Sequence, residues 1–262
     1  MTTELEVTSD KTMPQNDAIK YSDIGDHFDL DQGSGDYIVT SKIFLSNWKP
    51  ISSFPSEITI KLILERTGSP AYELHSSLII THPTRPPALV GDIFMYPGNT
   101  LKLSHKSFDI RANGLFFPTM RFTNLSEGMV ASTPEDQIDS ITDDDTWVSK
   151  NQSIKLSNPG NTYHLFDPGV PPKPPTYTVA SKKFISIKND ESEWLIETIL
   201  KAAEHPDIYL ESNIEPRLSI LPYAKSGDTV LTNDTLYKAT YKTFARSPSS
   251  QLYSVSLGLQ TI

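Results

Sequence analysis

Hydrophobic and polar residues alternate through Tyr37–Ser46 (YIVTSKIFLS) and again through Tyr177–Ser186 (YTVASKKFIS). That is the period of a strand with one buried face. The two stretches align at an offset of 140, with six of ten residues identical. Downstream, Ser56–Phe108 aligns without a gap on Ser192–Phe244 at an offset of 136, with 15 identities in 53 positions. Ordinary composition gives roughly three or four by chance. The chain is therefore an internal duplication. Two copies are too few for a solenoid and predict two packed domains.

Within the repeat, Glu57–Glu65 (EITIKLILE) alternates like a strand, whereas Ser192–Glu204 (SEWLIETILKAAE) reads as a helix with Ser192 as N-cap. The shared apolar positions 60, 63 and 64, matching 196, 199 and 200, have i, i+3, i+4 spacing. That spacing predicts a helix in both copies, over Ser56–Arg66 and Ser192–Glu204. The remaining strands fall near Tyr72–Ile80, Asp92–Tyr96, Thr100–Ile110 and Leu115–Phe122, and near Ile208–Ile214, Asp228–Thr232, Leu236–Arg246 and Gln251–Leu259. Short turns such as Pro97-Gly98-Asn99 make the sheet antiparallel. The expected fold class is α+β and β-rich: two duplicated units, each a mainly antiparallel sheet or sandwich with one helix. Residues 1–36 read as a flexible tail, 37–122 and 177–262 as the two repeat domains, and 123–176 as an acidic, Pro-rich connector with no counterpart in the repeat.

Composition narrows the chemistry. The 262 residues carry a formal net charge of −9, which argues against indiscriminate nucleic-acid binding. There is no Cys, so disulfides, thiolate catalysis and Cys-ligated zinc are excluded. No apolar run approaches the roughly 20 residues that span a bilayer, and the N-terminal stretch lacks an apolar signal core. The expected location is a virion or the host cytoplasm at the inner membrane face, without secretion.

No catalytic set emerges: there is no G-x-S-x-G, and His27, His75, His82, His105, His164 and His205 lack metal spacing. Asp26, Asp29, Asp31, Gly33 and Asp36 form a crude calcium loop that lacks the bidentate Glu at position 12. Asp143–Asp145 read as a charged loop, and Gly33-Ser34-Gly35 as a flexible entry into the first domain. No metal or cofactor is expected.

Two features stand out. Lys102 and Lys106 recur as Lys238 and Lys242. On a strand, i and i+4 share a face, so each copy presents a two-lysine stripe for lipid headgroups or a ribonucleoprotein; the plain alternative is a solvated strand face. Lys42, Lys182, Arg111 and Arg246 could extend it. The second feature is Pro174-Pro175-Thr176-Tyr177, a Pro-Pro-x-Tyr sequence of the kind that docks in WW-domain grooves. The repeat places Tyr177 over Tyr37 at the start of a strand, which is the structural alternative.

Two related β-rich domains, no catalytic set and Pro174–Tyr177 together resemble the matrix proteins of nonsegmented negative-strand RNA viruses. Pro83-Thr84-Arg85-Pro86 is a loose version of a second late motif of that group. The resemblance is architectural and covers about residues 37–262. It implies a non-enzymatic assembly protein that self-associates, bridges membrane and nucleocapsid through the lysine stripes, and recruits WW-domain host proteins. The chain departs from the family in being acidic and in carrying its motif between the domains. A jelly-roll capsid protein and a sliding-clamp-like ring protein are the alternatives.

Overall fold

The computed structural model describes residues 4–30, 36–46, 58–76, 88–96, 98–110, 114–125, 137–141, 148–165, 175–187, 194–214 and 223–262. Among these residues it is β-rich, with two short helices. In chain order the elements are β1 (Glu4–Pro14), α1 (Gln15–Tyr21), β2 (His27–Asp29), β3 (Tyr37–Ser46), β4 (Ile58–Glu65) and β5 (Tyr72–His75). Then come β6 (Ile93–Tyr96), β7 (Asn99–Ile110), β8 (Phe116–Asn124), β9 (Gln137–Ile141), α2 (Lys150–Leu156) and β10 (Thr162–His164). The last are β11 (Tyr177–Ser186), β12 (Trp194–Lys201), β13 (Ile208–Ile214), β14 (Thr229–Thr232), β15 (Thr235–Arg246) and β16 (Leu252–Thr261).

The segments 58–65 and 194–201, expected as helices, are strands. Ile58, Ile60, Leu62 and Leu64 face inward, as do Trp194, Ile196, Thr198 and Leu200. Period 2 places 60 and 64 on the buried face and 63 on the other, and the Ile- and Thr-rich sequence suits a pleated, half-buried surface. The i, i+3, i+4 match arose because Ile63 and Ile199 line the outer face, where apolar residues are also tolerated.

Four antiparallel meanders emerge: β2-β3-β4-β5, β6-β7-β8-β9, β10-β11-β12-β13, and β14-β15-β16-β1. Each short first strand also pairs in parallel with the long second strand of the preceding meander: β6 with β3, β10 with β7, β14 with β11, and β2 with β15. The circuit closes on itself. The first strand of the chain supplies the outermost strand of the fourth unit. The duplicated sequence thus folds as four quarter units in one ring, not as two separate domains, because β7–β10 and β15–β2 join the halves through main-chain hydrogen bonds.

Two boundaries change with it. The expected tail, residues 1–36, holds β1, α1 and β2. The expected connector holds β9, α2 and β10. Both segments belong to the repeat: Ile19-Lys20-Tyr21-Ser22-Asp23-Ile24-Gly25 matches Ile154-Lys155-Leu156-Ser157-Asn158-Pro159-Gly160, with Ile, Lys, Ser and Gly in common. Each helix precedes a short strand and buries its small or apolar face, Ala18 and Ile19 in α1, Ser153 and Ile154 in α2. Ser149 caps α2 through a reciprocal pair of bonds with Gln152.

Three of the four joints between units are aromatic pairs. Phe28 stacks on Phe244 at 4.9 Å, Phe94 on Phe44 at 4.5 Å and Tyr163 on Phe108 at 5.0 Å, each pair in register across a parallel joint. Val230 takes the equivalent place over Phe184. All eight side chains are buried, and an aromatic pair adds about 0.5–1.5 kcal/mol beyond its burial.

Candidate functional site

Each quarter opens with a tight turn: Ser22–Asp26, Ala88–Asp92, Ser157–Asn161 and Ala224–Asp228. The last side chain of each accepts a bond from the backbone N–H three residues earlier, at 2.8, 2.8, 3.0 and 3.0 Å. The glycines before them (25, 91, 160 and 227) have φ of 94°, 108°, 88° and 96°. Any other residue pays a left-handed penalty there. The glycine N–H of each turn donates to Val39, Leu103, Val179 or Ala239 of the long strand that follows.

At that point every long strand bulges: the register shifts between Val39 and Ser41, Leu103 and His105, Val179 and Ser181, and Ala239 and Tyr241. The extra residue reverses the parity of the strand beyond it. It turns Lys42, Lys106, Lys182 and Lys242 inward, where all four are at most 1% exposed. Each lies beside the Phe two residues on, with its Nζ 5.4–5.7 Å from the ring centre.

The four amines tie the turns to the helices. Lys42 Nζ donates to Lys20 O at 2.9 Å and Ser22 O at 2.6 Å. Lys242 Nζ donates to Tyr21 O at 2.7 Å and Ala224 O at 3.2 Å. In the other half, Lys182 bonds Lys155 O and Ser157 O at 2.9 and 3.1 Å, and Lys106 bonds Leu156 O and Ala88 O at 3.0 and 3.3 Å. Each helix therefore ends on two lysines. They satisfy carbonyls left without an intrahelical partner and oppose the negative end of the helix dipole.

The halves differ in charge. The first places Asp23 and Asp26 where the second has Asn158 and Asn161. Lys242 lies 3.3 Å from Asp26 and 3.7 Å from Asp23, Lys42 lies 3.9 Å from Asp23, and Lys225 pairs directly with Asp23. Burial opposes the charge on Asp23, but Lys225, Lys242 and Lys42 outweigh it and hold its pKa at about 2. Burial pushes Asp92 up to about 6 and also raises Asp26 and Asp228. Burial pulls Lys106 down to about 7 and Lys182 to about 8, and lowers Lys42. With every group ionised, five lysines face four aspartates.

This arrangement corrects the lysine stripe. Lys102 and Lys238 are exposed, but Lys106 and Lys242 are internal, because the bulge intervenes between positions i and i+4. The Pro-Pro-x-Tyr reading changes as well. Tyr177 is 4% exposed and starts β11, paired with Tyr163, while a docking motif needs its tyrosine free. Pro175 is half-buried, and Pro174 lies outside the described residues, as do Asp31, Gly33, His82, Pro83–Pro86 and Asp143–Asp145. Of the calcium-loop residues, Asp26 is committed to its turn and Lys242, and Asp36 contacts His27 at 3.4 Å.

Among the described residues, a polar grouping and a groove lie away from this cluster. On the outer face of the β7–β10 joint, His105 Nε2 lies 3.0 Å from Thr162 Oγ1, His164 contacts Asp109, and Thr119 donates to Asp109 at 3.3 Å. An open groove is lined by Leu30, Arg246 and the turn Ser247–Gln251. Among the described residues, no three His, Asp or Glu side chains are grouped to hold a metal ion, and no helix is long and apolar enough to cross a membrane. No protein-family model matches the chain, and no curated protein matches it in sequence.

Proposed function

We propose that this chain is a non-enzymatic structural protein of viral matrix type that works by self-association. One observation carries the reading. The four meanders end in β5, β9, β13 and β1, and among the described residues the outer edge of each pairs with no other strand. Unpaired N–H and C=O rows are templates for a second chain, and a ring repeats them on several sides. Tyr209 on β13, 56% exposed, and Leu5 on β1, 40% exposed, add apolar contact area at two of these edges.

The proposal is confined to assembly. Two of the four lysines assigned to membrane or nucleocapsid contact are internal, so that bridging role has lost its support. The meander order does not favour a jelly-roll capsid protein. Lysines buried on strands do not favour a sliding clamp, whose lysines would line a ring from helices.

The test is electron microscopy and light scattering of the full chain beside Leu5→Lys and Tyr209→Lys. Concentration-dependent assemblies that the charged edges suppress, at unchanged thermal stability, support the reading. Assemblies indifferent to both variants, or none at all, defeat it.

A further inference from the structure

β1 is joined to its unit differently from the other outer strands. β5 and β13, like β9, follow their partners in sequence, whereas β1 reaches β16 from the opposite end of the described chain. Among its described side chains none is buried; only Val7 and Met13 are half-buried, packed against the core. Main-chain pairing therefore supplies most of its attachment, over Glu4–Thr8 and Thr12–Pro14.

β16 is the reverse. Tyr253, Val255, Leu257 and Leu259 are all at most 2% exposed. Without β1, β16 would keep β15 on one side but offer a long open edge on the other, next to a packed core, which demands cover. The demand is one-sided: β16 needs a strand, and β1 is lightly held. The chain passes from β1 into α1 with no loop. Pro14, between them, is extended (φ −61°, ψ 155°), and α1 is anchored by Ala18 and Ile19.

We propose that β1 is an exchangeable strand whose alternative partner is β16 of a second copy of this chain. The intermolecular contact would reuse the register and side-chain fit seen within the chain, so it requires no new complementarity; exchange of an identical element is a low-cost route to association. Reciprocal exchange gives a dimer, and head-to-tail exchange gives an open polymer. This rests on the self-association reading above and names the contact through which it occurs.

Because the chain has no cysteine, the test is direct. Thr8 and Ser256 are register partners. Full-length Thr8→Cys and full-length Ser256→Cys are mixed under assembling conditions and oxidised. Exchange yields a disulfide-linked heterodimer at twice the 29.2 kDa chain mass. The out-of-register pair Thr8→Cys with Ser254→Cys, which faces Thr12, yields several-fold less. Assembly by light scattering without the heterodimer, or equal linking by both pairs, overturns strand exchange and leaves self-association through other edges standing. Absence of assembly overturns both.

Discussion

Replacing Lys182 and Lys242 separately by Met separates the two halves of the buried cluster. The two lysines are equivalent in the repeat, equally buried, and each donates to two carbonyls. They differ in their counter-charges. Lys242 has Asp26 at 3.3 Å and Asp23 at 3.7 Å; the turn below Lys182 offers Asn158 and Asn161 instead, and the main carboxylate acting on Lys182 is Asp228 of the neighbouring turn. Removing Lys242 leaves the buried Asp26 carboxylate without its nearest cation, a loss of about 3–5 kcal/mol. Removing Lys182 forfeits two charged hydrogen bonds, roughly 1.5–3 kcal/mol each. It also relieves a burial penalty: the fall from 10.5 to about 8 corresponds to roughly 3 kcal/mol. Those terms leave a net loss of about 0–3 kcal/mol, and Met fills the same space. Urea unfolding at pH 7, followed by circular dichroism, should therefore rank Lys242→Met well below Lys182→Met. A pH arm adds a sign. The folded pKa of Lys182 lies below its unfolded value, so the native state releases its proton first, and stability should rise between about pH 8 and 10.5. Lys182→Met should lack that increment. Equal losses for the two variants, or an alkaline profile unaltered by Lys182→Met, would refute the reasoning.

Other outcomes follow from the same geometry. Asp92, raised to about 6, favours the fold below pH 3.8, and that contribution is lost as pH rises through 6. Asp92→Asn should flatten the stability profile in this window by roughly 3 kcal/mol, measured by thermal melts across pH. Gly227→Ala meets no neighbouring atom, so only its φ of 96° penalises it; about 1–2 kcal/mol should be lost in denaturant titrations. Phe28→Ala empties the closing joint against Phe244 and should cost about 3–5 kcal/mol. Tyr177→Ala should lower the melting temperature, while isolated WW domains bind the parent and the variant equally poorly in titration calorimetry.

The β-rich class and most strands were legible because alternation in β3, β7, β11 and β15 is strong. Three physical features hid the rest. A bulge adds one residue without a sequence mark, so a parity argument at Lys102 and Lys238 fails at Lys106 and Lys242. An outward Ile63 mimics helical spacing when two copies are compared. The α1 and α2 segments are short and polar, so residues 1–36 and 123–176 read as tail and linker. The K-x-F sequence at positions 42–44, 106–108, 182–184 and 242–244 was the available signal for fourfold repetition; comparing halves alone concealed it. The Gly-Asp or Gly-Asn that closes each turn was a second.

Four internal lysines fasten the ring, and amine acylation of the native protein, mapped by mass spectrometry, tests this most directly. Lys102 and Lys238 should react quickly, and Lys42, Lys106, Lys182 and Lys242 should stay protected until the chain unfolds. Protection of Lys106 is the sharpest part, since a pKa near 7 would make it a fast nucleophile if reagent could reach it. Native-state modification of Lys106 and Lys242 at the rate of Lys102 and Lys238 would contradict the account.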